Sequence, residues 1–252
     1  MKSIDRPTER VAGRVAYMEC LGTLHRILKP RLYFEIGVRH GKSLSLALAE
    51  AIGVDPDYSV TYQLSAPTRI YKMTSDDFFA SDAREILTTP IDLAFIDGRH
   101  LFEFALRDFI NIERFSHPFT ALVFDDIYPN HPMQAQRDRQ TSMWTGDVWK
   151  IVPCLRRFRP DLTLVQLDTS PTGLLLVLGL SPSNTVLSDR YAEIVQKFNG
   201  DDALLPPQEV LTRTAAADPA DPAVFQVLEQ LRSAREGGAI TNAQDAILRC
   251  GF

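Results

Sequence analysis

Along the first 180 residues, two rhythms of apolar and polar positions alternate. Short runs that are apolar at nearly every position give way to stretches with apolar residues three and four apart. Buried strands separated by amphipathic helices produce that pattern. Residues 7–28 read as a helix with Val11, Val15 and Met18 on its apolar face. Residues 32–36 read as a first strand, 42–51 as a helix, and 52–54 as a second strand ending at Asp55-Pro56-Asp57. Residues 68–73 form the third predicted strand and 77–87 the next helix. A fourth strand over 91–96 ends at Asp97-Gly98, a helix follows over 102–115, and a fifth strand over 121–124 ends at Asp125-Asp126.

The rhythm breaks after the fifth strand. Residues 128–145 are polar and contain Pro129 and Pro132, which predicts a lid or insertion. A helix is predicted over 146–158. Residues 162–167 and 174–180 are rich in β-formers, and the joint Asp168-Thr169-Ser170-Pro171-Thr172-Gly173 is short and full of turn residues. That predicts an antiparallel pair. Strands alternating with helices imply a parallel sheet covered on both faces. The predicted fold is α/β: a Rossmann-like doubly wound sheet, mostly parallel, with a terminal antiparallel hairpin and helices on both faces. Residues 1–30 would form an N-terminal helical segment, 31–180 the ligand-binding domain and 181–252 a C-terminal helical extension. Within the extension, 215–222 reads as a linker, and Val224, Val227, Leu228 and Leu231 repeat at helical spacing up to Gly237-Gly238. A stripe this narrow predicts packing on its own domain. The sharper alternative is a partner subunit, which leaves a homo-oligomer through the N-terminal helix or the extension open.

Composition narrows the classes. A chain of 252 residues with 45% hydrophobic content can bury a large core. Its net charge of -5 gives no electrostatic footprint for nucleic acid. The basic run Arg156, Arg157 and Arg159 reads as a solvated helix end. Met1-Lys2-Ser3-Ile4-Asp5-Arg6 lacks an apolar signal core. The longest apolar run, 173–180, is too short to cross a bilayer as a helix, so no membrane partner is expected. Cys20, Cys154 and Cys250 are widely separated, without metal or disulfide spacing. Reduced thiols in a cytoplasmic protein are expected.

Candidate chemistry begins at Tyr33-Phe34-Glu35-Ile36-Gly37-Val38-Arg39-His40-Gly41-Lys42-Ser43, a strand, a tight turn and a helix start. Gly37 and Gly41 are expected to leave room for a ligand against bare backbone. A phosphate-binding loop needs a glycine five residues before Gly41, where Ile36 stands. A dinucleotide fingerprint needs G-x-G-x-x-G, and the spacing here is G-x-x-x-G. The third reading, E-x-G-x-x-x-G from Glu35, Gly37 and Gly41, resembles the first motif of class I S-adenosylmethionine (SAM)-dependent methyltransferases. An ordinary strand-to-helix turn is the plain alternative. In parallel sheets, ligands sit at the carboxyl ends of the strands. Here those ends carry Glu35, Asp55, Asp97 and the pair Asp125-Asp126, all on one rim.

With these motifs in order, residues 33–180 resemble class I SAM-dependent methyltransferases, and within them the metal-dependent O-methyltransferases acting on catechols and macrolide sugars. The resemblance implies a seventh strand inserted antiparallel to the rest. It implies that Glu35, Gly37 and Gly41 lie at the methionine end of SAM, that Asp55 accepts the ribose hydroxyls, and that Ser75 or Asp76 meets the adenine. Ser75 and Asp76 could equally cap a helix. Asp97, Asp125 and Asp126 should converge, because their strands are neighbours. Converging carboxylates raise one another's pKa, and a hard divalent cation such as Mg²⁺ resolves the conflict. The family places such an ion on matching acids, and Asp97 also counts among the residues on the cofactor side. His100 stands where the macrolide-sugar enzymes carry a histidine taken as general base, and its ordinary pKa suits that task. His40 and His131 are weaker candidates.

The acceptor is less legible. Tyr128, His131, Met133, Met143, Trp144 and Trp149 could face a sugar or phenolic ring, or form the lid's own small core. Asp147 could bind substrate or begin a helix near its positive end, and the cap is the favoured reading. A metal with a base implies a small-molecule acceptor with two vicinal oxygens. Two rivals remain: a metal-independent methyltransferase, and a SAM- or nucleotide-binding module without transferase activity.

Overall fold

The computed structural model of the chain describes residues 7–81, 83–200 and 205–237. After a 3₁₀ turn at Pro7–Glu9, the chain forms β1 (Val15–Ala16), α1 (Tyr17–Leu28) and β2 (Leu32–Ile36). Next come β3 (Glu50–Val54), β4 (Thr68–Tyr71), α2 (Ser75–Ser81), α3 (Ala83–Ile86) and β5 (Leu93–Ile96). Then follow α4 (Phe102–Glu113), β6 (Ala121–Phe124), α5 (Ile151–Phe158), β7 (Thr163–Leu167), β8 (Thr169–Ser170) and β9 (Leu174–Leu178). The chain continues through α6 (Val186–Asp189), α7 (Tyr191–Asn199), α8 (Gln208–Leu211) and α9 (Pro222–Gly237).

The main sheet has the order β4-β3-β2-β5-β6-β9-β7. β2 to β6 run parallel, and β9 lies antiparallel between β6 and β7. This is the mostly parallel sheet with an antiparallel terminal hairpin that the sequence predicted, with the last strand inserted as the resemblance implied. Strand alternation feeds two cores. Leu32, Phe34, Ile36, Ala94 and Ile96 point to the face covered by α2, α4 and α5. Tyr33, Leu93 and Phe95 point to the face covered by α1 and α9. Full burial of each Phe or Leu contributes about 1.5–3 kcal/mol.

Three expectations change. Only the second half of the helix predicted over 7–28 is helical. Gly13 takes φ +128, and residues 14–16 run extended against 168–170. Val11, placed on the apolar face, is exposed. The helix predicted over 42–51 is a 3₁₀ turn at Leu44–Leu46, because β3 claims Glu50 and Ala51 as partners of Leu32 and Tyr33. Returning along a five-residue strand covers about 17 Å. A helix rising about 1.5 Å per residue would need about eleven residues after the turn, and the connection is too short. Arg159 is no solvated helix end: it is buried, with Glu113 and Asp161 on its guanidinium at 2.7–2.9 Å. Arg156 and Arg157 are exposed as expected.

Helix α9 packs on the face of the sheet that α1 covers. Val224, Val227, Leu228 and Leu231 of α9 are buried together with Leu21, Leu24 and Leu28 of α1. Residues 215–222, a linker by composition, dock on the edge of β7 through a bridge between Leu167 and Ala217. Arg213 ties this segment to the lid base, donating to Asp168 Oδ1 at 2.9 Å and Asn130 Oδ1 at 2.8 Å. Cys20 and Cys154 are buried free thiols; Cys250 and Gly238 lie outside the described residues. No helix among the described residues is long and apolar enough to cross a membrane.

Candidate active site

β5 and β6 are neighbours and end level, which brings Asp97 and Asp126 to one place. The loop after β5 turns back so that His100 lies between them. Its Nε2 is 3.4 Å from Asp97 Oδ1 and its Nδ1 is 2.7 Å from Asp126 Oδ2. Ligand atoms of Asp97, His100 and Asp126 all fall within 4.8 Å of one another. Asp126 reaches this position by taking φ +66, a left-handed conformation that aspartate tolerates better than most residues.

Asp125 stands behind the group. Its Oδ1 accepts the N–H of Asp126 at 2.8 Å and lies 3.4 Å from Thr172 Oγ1. The geometry thus sets His100 beside Asp97 and Asp126 where the sequence had set Asp125. The reason is local: the turn at Asp126 sends consecutive side chains to different sides.

The electrostatics are unbalanced. Burial, then the charges of Asp126 and Asp97, hold the Asp125 carboxyl well above the ordinary carboxylate range. Burial also raises Asp97, with Asp126 adding to it, while His100 and Arg39 pull it down. Burial alone would lower His100, but Asp126 and then Asp97 raise it well above its ordinary value. The two acids thus favour a proton on His100. Arg99, adjacent in sequence, stacks on Phe104 at 4.4 Å.

The residues expected on the cofactor side have partners inside the protein. Glu35 is fully buried, and its carboxylate accepts Tyr33 Oη–H at 2.6 Å and Ser43 Oγ–H at 2.7 Å. Burial pushes its pKa up to about 8, against the lowering effect of those two bonds. It fixes the turn from within. Gly37 takes φ +92 and a Cβ there would overlap the Asp97-Gly98 backbone; at Gly41 a Cβ would meet Val60 at 3.2 Å. At both glycines the direction a Cβ would take faces protein. Asp55 accepts Arg39 N–H and Asp57 N–H, each at 2.7 Å, one on each oxygen. Asp76 is paired in bidentate fashion with Arg107, both bonds at 2.7 Å, and Ser75 bonds to the buried Asp108. Neither is the cap of α2. That role falls to Thr74, whose hydroxyl accepts Asp77 N–H at 3.1 Å.

The lid lies against this cluster. The Trp144 carbonyl faces His100 Nδ1 at 2.8 Å, and its indole stacks on the imidazole with centroids 5.1 Å apart and planes within 8°. Gly146 takes φ +55 and packs so closely on the His100 carbonyl that a Cβ would overlap it. Tyr128 and Trp149 are buried in the protein. His40 Nδ1 pairs with Ser59 O at 3.2 Å, and His131 Nδ1 accepts Met133 N–H at 3.1 Å, so neither joins the acids.

Residues 34–127, from β2 to the start of the lid, match a family model described as a methyltransferase domain. Over that stretch the chain is similar to a methyltransferase domain. It is also similar to the cofactor-bound structure of Rv0187 from MTB, at 15% identity over 67% of this chain and 82% of that one, with a TM-score of 0.49. An O-methyltransferase from Bacillus cereus in complex with SAH matches at 15% identity over 67% and 83% of the two chains, with a TM-score of 0.48. The O-methyltransferase TomG from Streptomyces achromogenes, in complex with SAM, matches at 17% identity over 66% and 80%, with a TM-score of 0.47. A search of curated proteins finds no match.

Sequence reasoning missed two residues of this domain's rim. Tyr17 opens α1, where the predicted helix gave no reason to single it out. Burial and the negative charges of Asp125, Asp97, Glu35 and Asp126 raise its phenol pKa. Lys42 Nζ stands 5.7 Å from its ring. Arg39, inside the glycine turn, takes φ +48 and lends positive charge to Asp97. A non-glycine residue at positive φ leaves no signature in a single sequence.

Proposed function

We propose that the chain is a SAM-dependent O-methyltransferase that acts on a hydroxyl of a small-molecule diol, a sugar or a phenolic natural product, with a divalent cation in the site. The carrying observation is the convergence of Asp97, His100 and Asp126 at the carboxyl edge of a methyltransferase domain. No nucleic acid or membrane enters this reading, and the reduced, buried thiols fit a cytoplasmic setting.

The residues suit the two groups unequally. Two carboxylates and an imidazole within 4.8 Å form a donor set for a divalent cation. Buried Asp125 beside them is raised by burial first and then by the charges of Asp126 and Asp97, so a cation on those acids would relieve part of that strain. On the cofactor side, Asp55 keeps a lone pair on each oxygen beyond its backbone bonds and sits at the rim, so it is assigned to the ribose. Ser75 and Asp76 remain beside the adenine position only through groups they already share with α4. Glu35 supports the turn and is assigned no direct contact.

Bound there, SAM supplies an electrophilic methyl group and the cation supplies Lewis acidity that lowers the pKa of a coordinated hydroxyl. The chain's own contribution is to orient and to move a proton. Asp97 and Asp126 hold the charge that fixes the acceptor's oxygens. His100 Nδ1 is occupied by the Trp144 carbonyl and Asp126, and Nε2 lies 3.4 Å from Asp97. With the acids' charge taken up by a cation, Asp97 and Asp126 would no longer hold a proton on His100, and neutral Nε2 would be the atom to take the acceptor proton. The rest is alignment.

A second reading has one observation in its favour. His100 lies within ligand distance of both acids, so it could hold the cation itself and leave the proton to solvent. Methyl transfer to a panel of diols, with and without exhaustive chelation, tests the main reading. Turnover that needs added Mg²⁺ or Mn²⁺ is expected. Full turnover after chelation would leave a metal-independent methyltransferase, and SAM binding without turnover on any acceptor would leave a binding module.

A further inference from the structure

The segment before α1 is tied to the lid by the side chains of Glu9 and Gln134. The carboxylate of half-buried Glu9 accepts Ser142 N–H at 3.0 and 3.1 Å and Met143 N–H at 3.1 Å. Buried Gln134, inside the lid, donates its amide to Thr8 O at 3.0 Å and Arg10 O at 2.8 Å. Residues 12 and 14 continue the strap onto Pro171 and Asp168, and β1 pairs with β8. The residue after Met143 is Trp144, which stacks on His100 and presents its carbonyl to His100 Nδ1. Its indole Nε1 is held in turn by Gln136 O at 2.6 Å.

We infer that Glu9 is a positioning residue: by clamping the backbone at Ser142 and Met143, it holds Trp144 flat on His100 and so aims Nε2 into the site. The consequence for catalysis rests on the function proposed above; the clamp itself does not. Two adjacent N–H groups on one carboxylate make a charge-assisted contact, stronger than a neutral one. Their loss frees a lid segment whose neighbour sets the imidazole's orientation. Small misplacements of a reacting group cost up to about 10²-fold in rate. The strap runs through the stretch 10–16, where the predicted helix does not form.

The chain has two tryptophans, so a Trp149→Phe background isolates Trp144 as a fluorescent reporter. In that background Glu9→Ala should raise acrylamide quenching of Trp144 by about twofold or more, with the thermal midpoint of the main transition retained. Glu9→Gln, which keeps one acceptor oxygen, should recover at least half of the protection. His100→Ala should raise quenching as well, and adding Glu9→Ala to it should add less than it does alone, because both act through one stack. Glu9→Ala should lower kcat by about tenfold or more, with KM for SAM within about twofold. Unchanged Trp144 accessibility in Glu9→Ala would overturn the clamp. Raised accessibility with unchanged kcat would overturn its role in positioning. A wild-type chain that transfers no methyl group would count against the proposed function and leave the quenching result to decide the clamp.

Discussion

Asp147 caps a helix to which it does not belong. Its Oδ1 accepts the N–H of Phe102, the first residue of α4, at 2.7 Å across 45 positions of sequence. Its Oδ2 takes Lys150 Nζ at 2.9 Å and Arg137 Nη1 at 2.7 Å. The sequence suggested a cap, but of the helix that Asp147 precedes. Capping α4 instead locks the end of the lid to the loop that carries His100.

Asp147→Ala should therefore be costly. It leaves Lys150, itself buried, without its carboxylate, and it strips the first turn of α4 of an acceptor. Breaking a buried pair from one side costs about 3–5 kcal/mol, and a lost cap about 1. Denaturant unfolding should show a loss of at least about 3 kcal/mol, and Asp147→Asn, which keeps the cap, should lose less. Equal losses in the two variants would mean that the cap contributes nothing.

His25 should make the protein sensitive to mild acid. It is buried against the edge of Tyr33, and neither ring nitrogen has a hydrogen-bond partner among the described residues. Burial lowers its pKa from 6.5 to about 4. The unfolded chain then takes up the proton first. Its share of stability is complete above about pH 6.5, falls as pH drops towards about 4, and levels off below that. The span is on the order of 3 kcal/mol. His25→Leu should flatten this part of the profile and be neutral or stabilising at pH 7, since it removes unsatisfied polar atoms. Parallel stability profiles for variant and wild type between pH 7 and 4.5 would contradict the buried neutral imidazole.

Asp55 holds structure and, in the proposed function, cofactor. Asp55→Ala should weaken SAM by at least about tenfold, the scale of a lost charge-assisted bond. It should also loosen the glycine turn through Arg39 and Asp57. Asp55→Asn keeps one acceptor oxygen and one donor, so its effect on stability should be smaller than that of alanine. Calorimetry that finds SAM affinity intact in a folded Asp55→Ala variant would remove the ribose contact.

How far the sequence could be read depended on the range of the interaction. Strand positions and the carboxyl rim followed from hydrophobic rhythm and turn residues, which are local signals, whereas the inserted antiparallel strand came only with the family resemblance. The helix predicted over 42–51 failed because its length was set by register with β2, a distant partner. Glu35 was legible as a special acid, yet its use depends on Tyr33 and Ser43 turning towards it. Asp147, Glu9 and Trp144 act on segments tens of residues away. Pairing of that kind is fixed only when the lid folds back over α4. Arg159 misled for the same reason: its partner Glu113 lies on another helix.

The cluster itself gives the sharpest separation of roles. Asp97 and Asp126 lie within ligand distance of each other and of His100, whereas Asp125 is turned to the Asp126 N–H. Asp97→Ala and Asp126→Ala should therefore lower Mn²⁺ affinity by more than about 100-fold. Asp125→Asn, which keeps that hydrogen bond, should lower it by about tenfold, as outer partners of metal sites do. His100→Gln distinguishes base from ligand. As a base, it should leave Mn²⁺ affinity within a few-fold and lower the rate of methyl transfer by about 10²–10⁴-fold. As a ligand, it should weaken Mn²⁺ as much as Asp97→Ala does. Calorimetric titration of Mn²⁺ into each variant, beside single-turnover rates at saturating SAM, reads both quantities on the same protein. Mn²⁺ affinity that responds to Asp125→Asn more than to Asp126→Ala would exchange the roles of these neighbours and refute the ligand set drawn from the geometry.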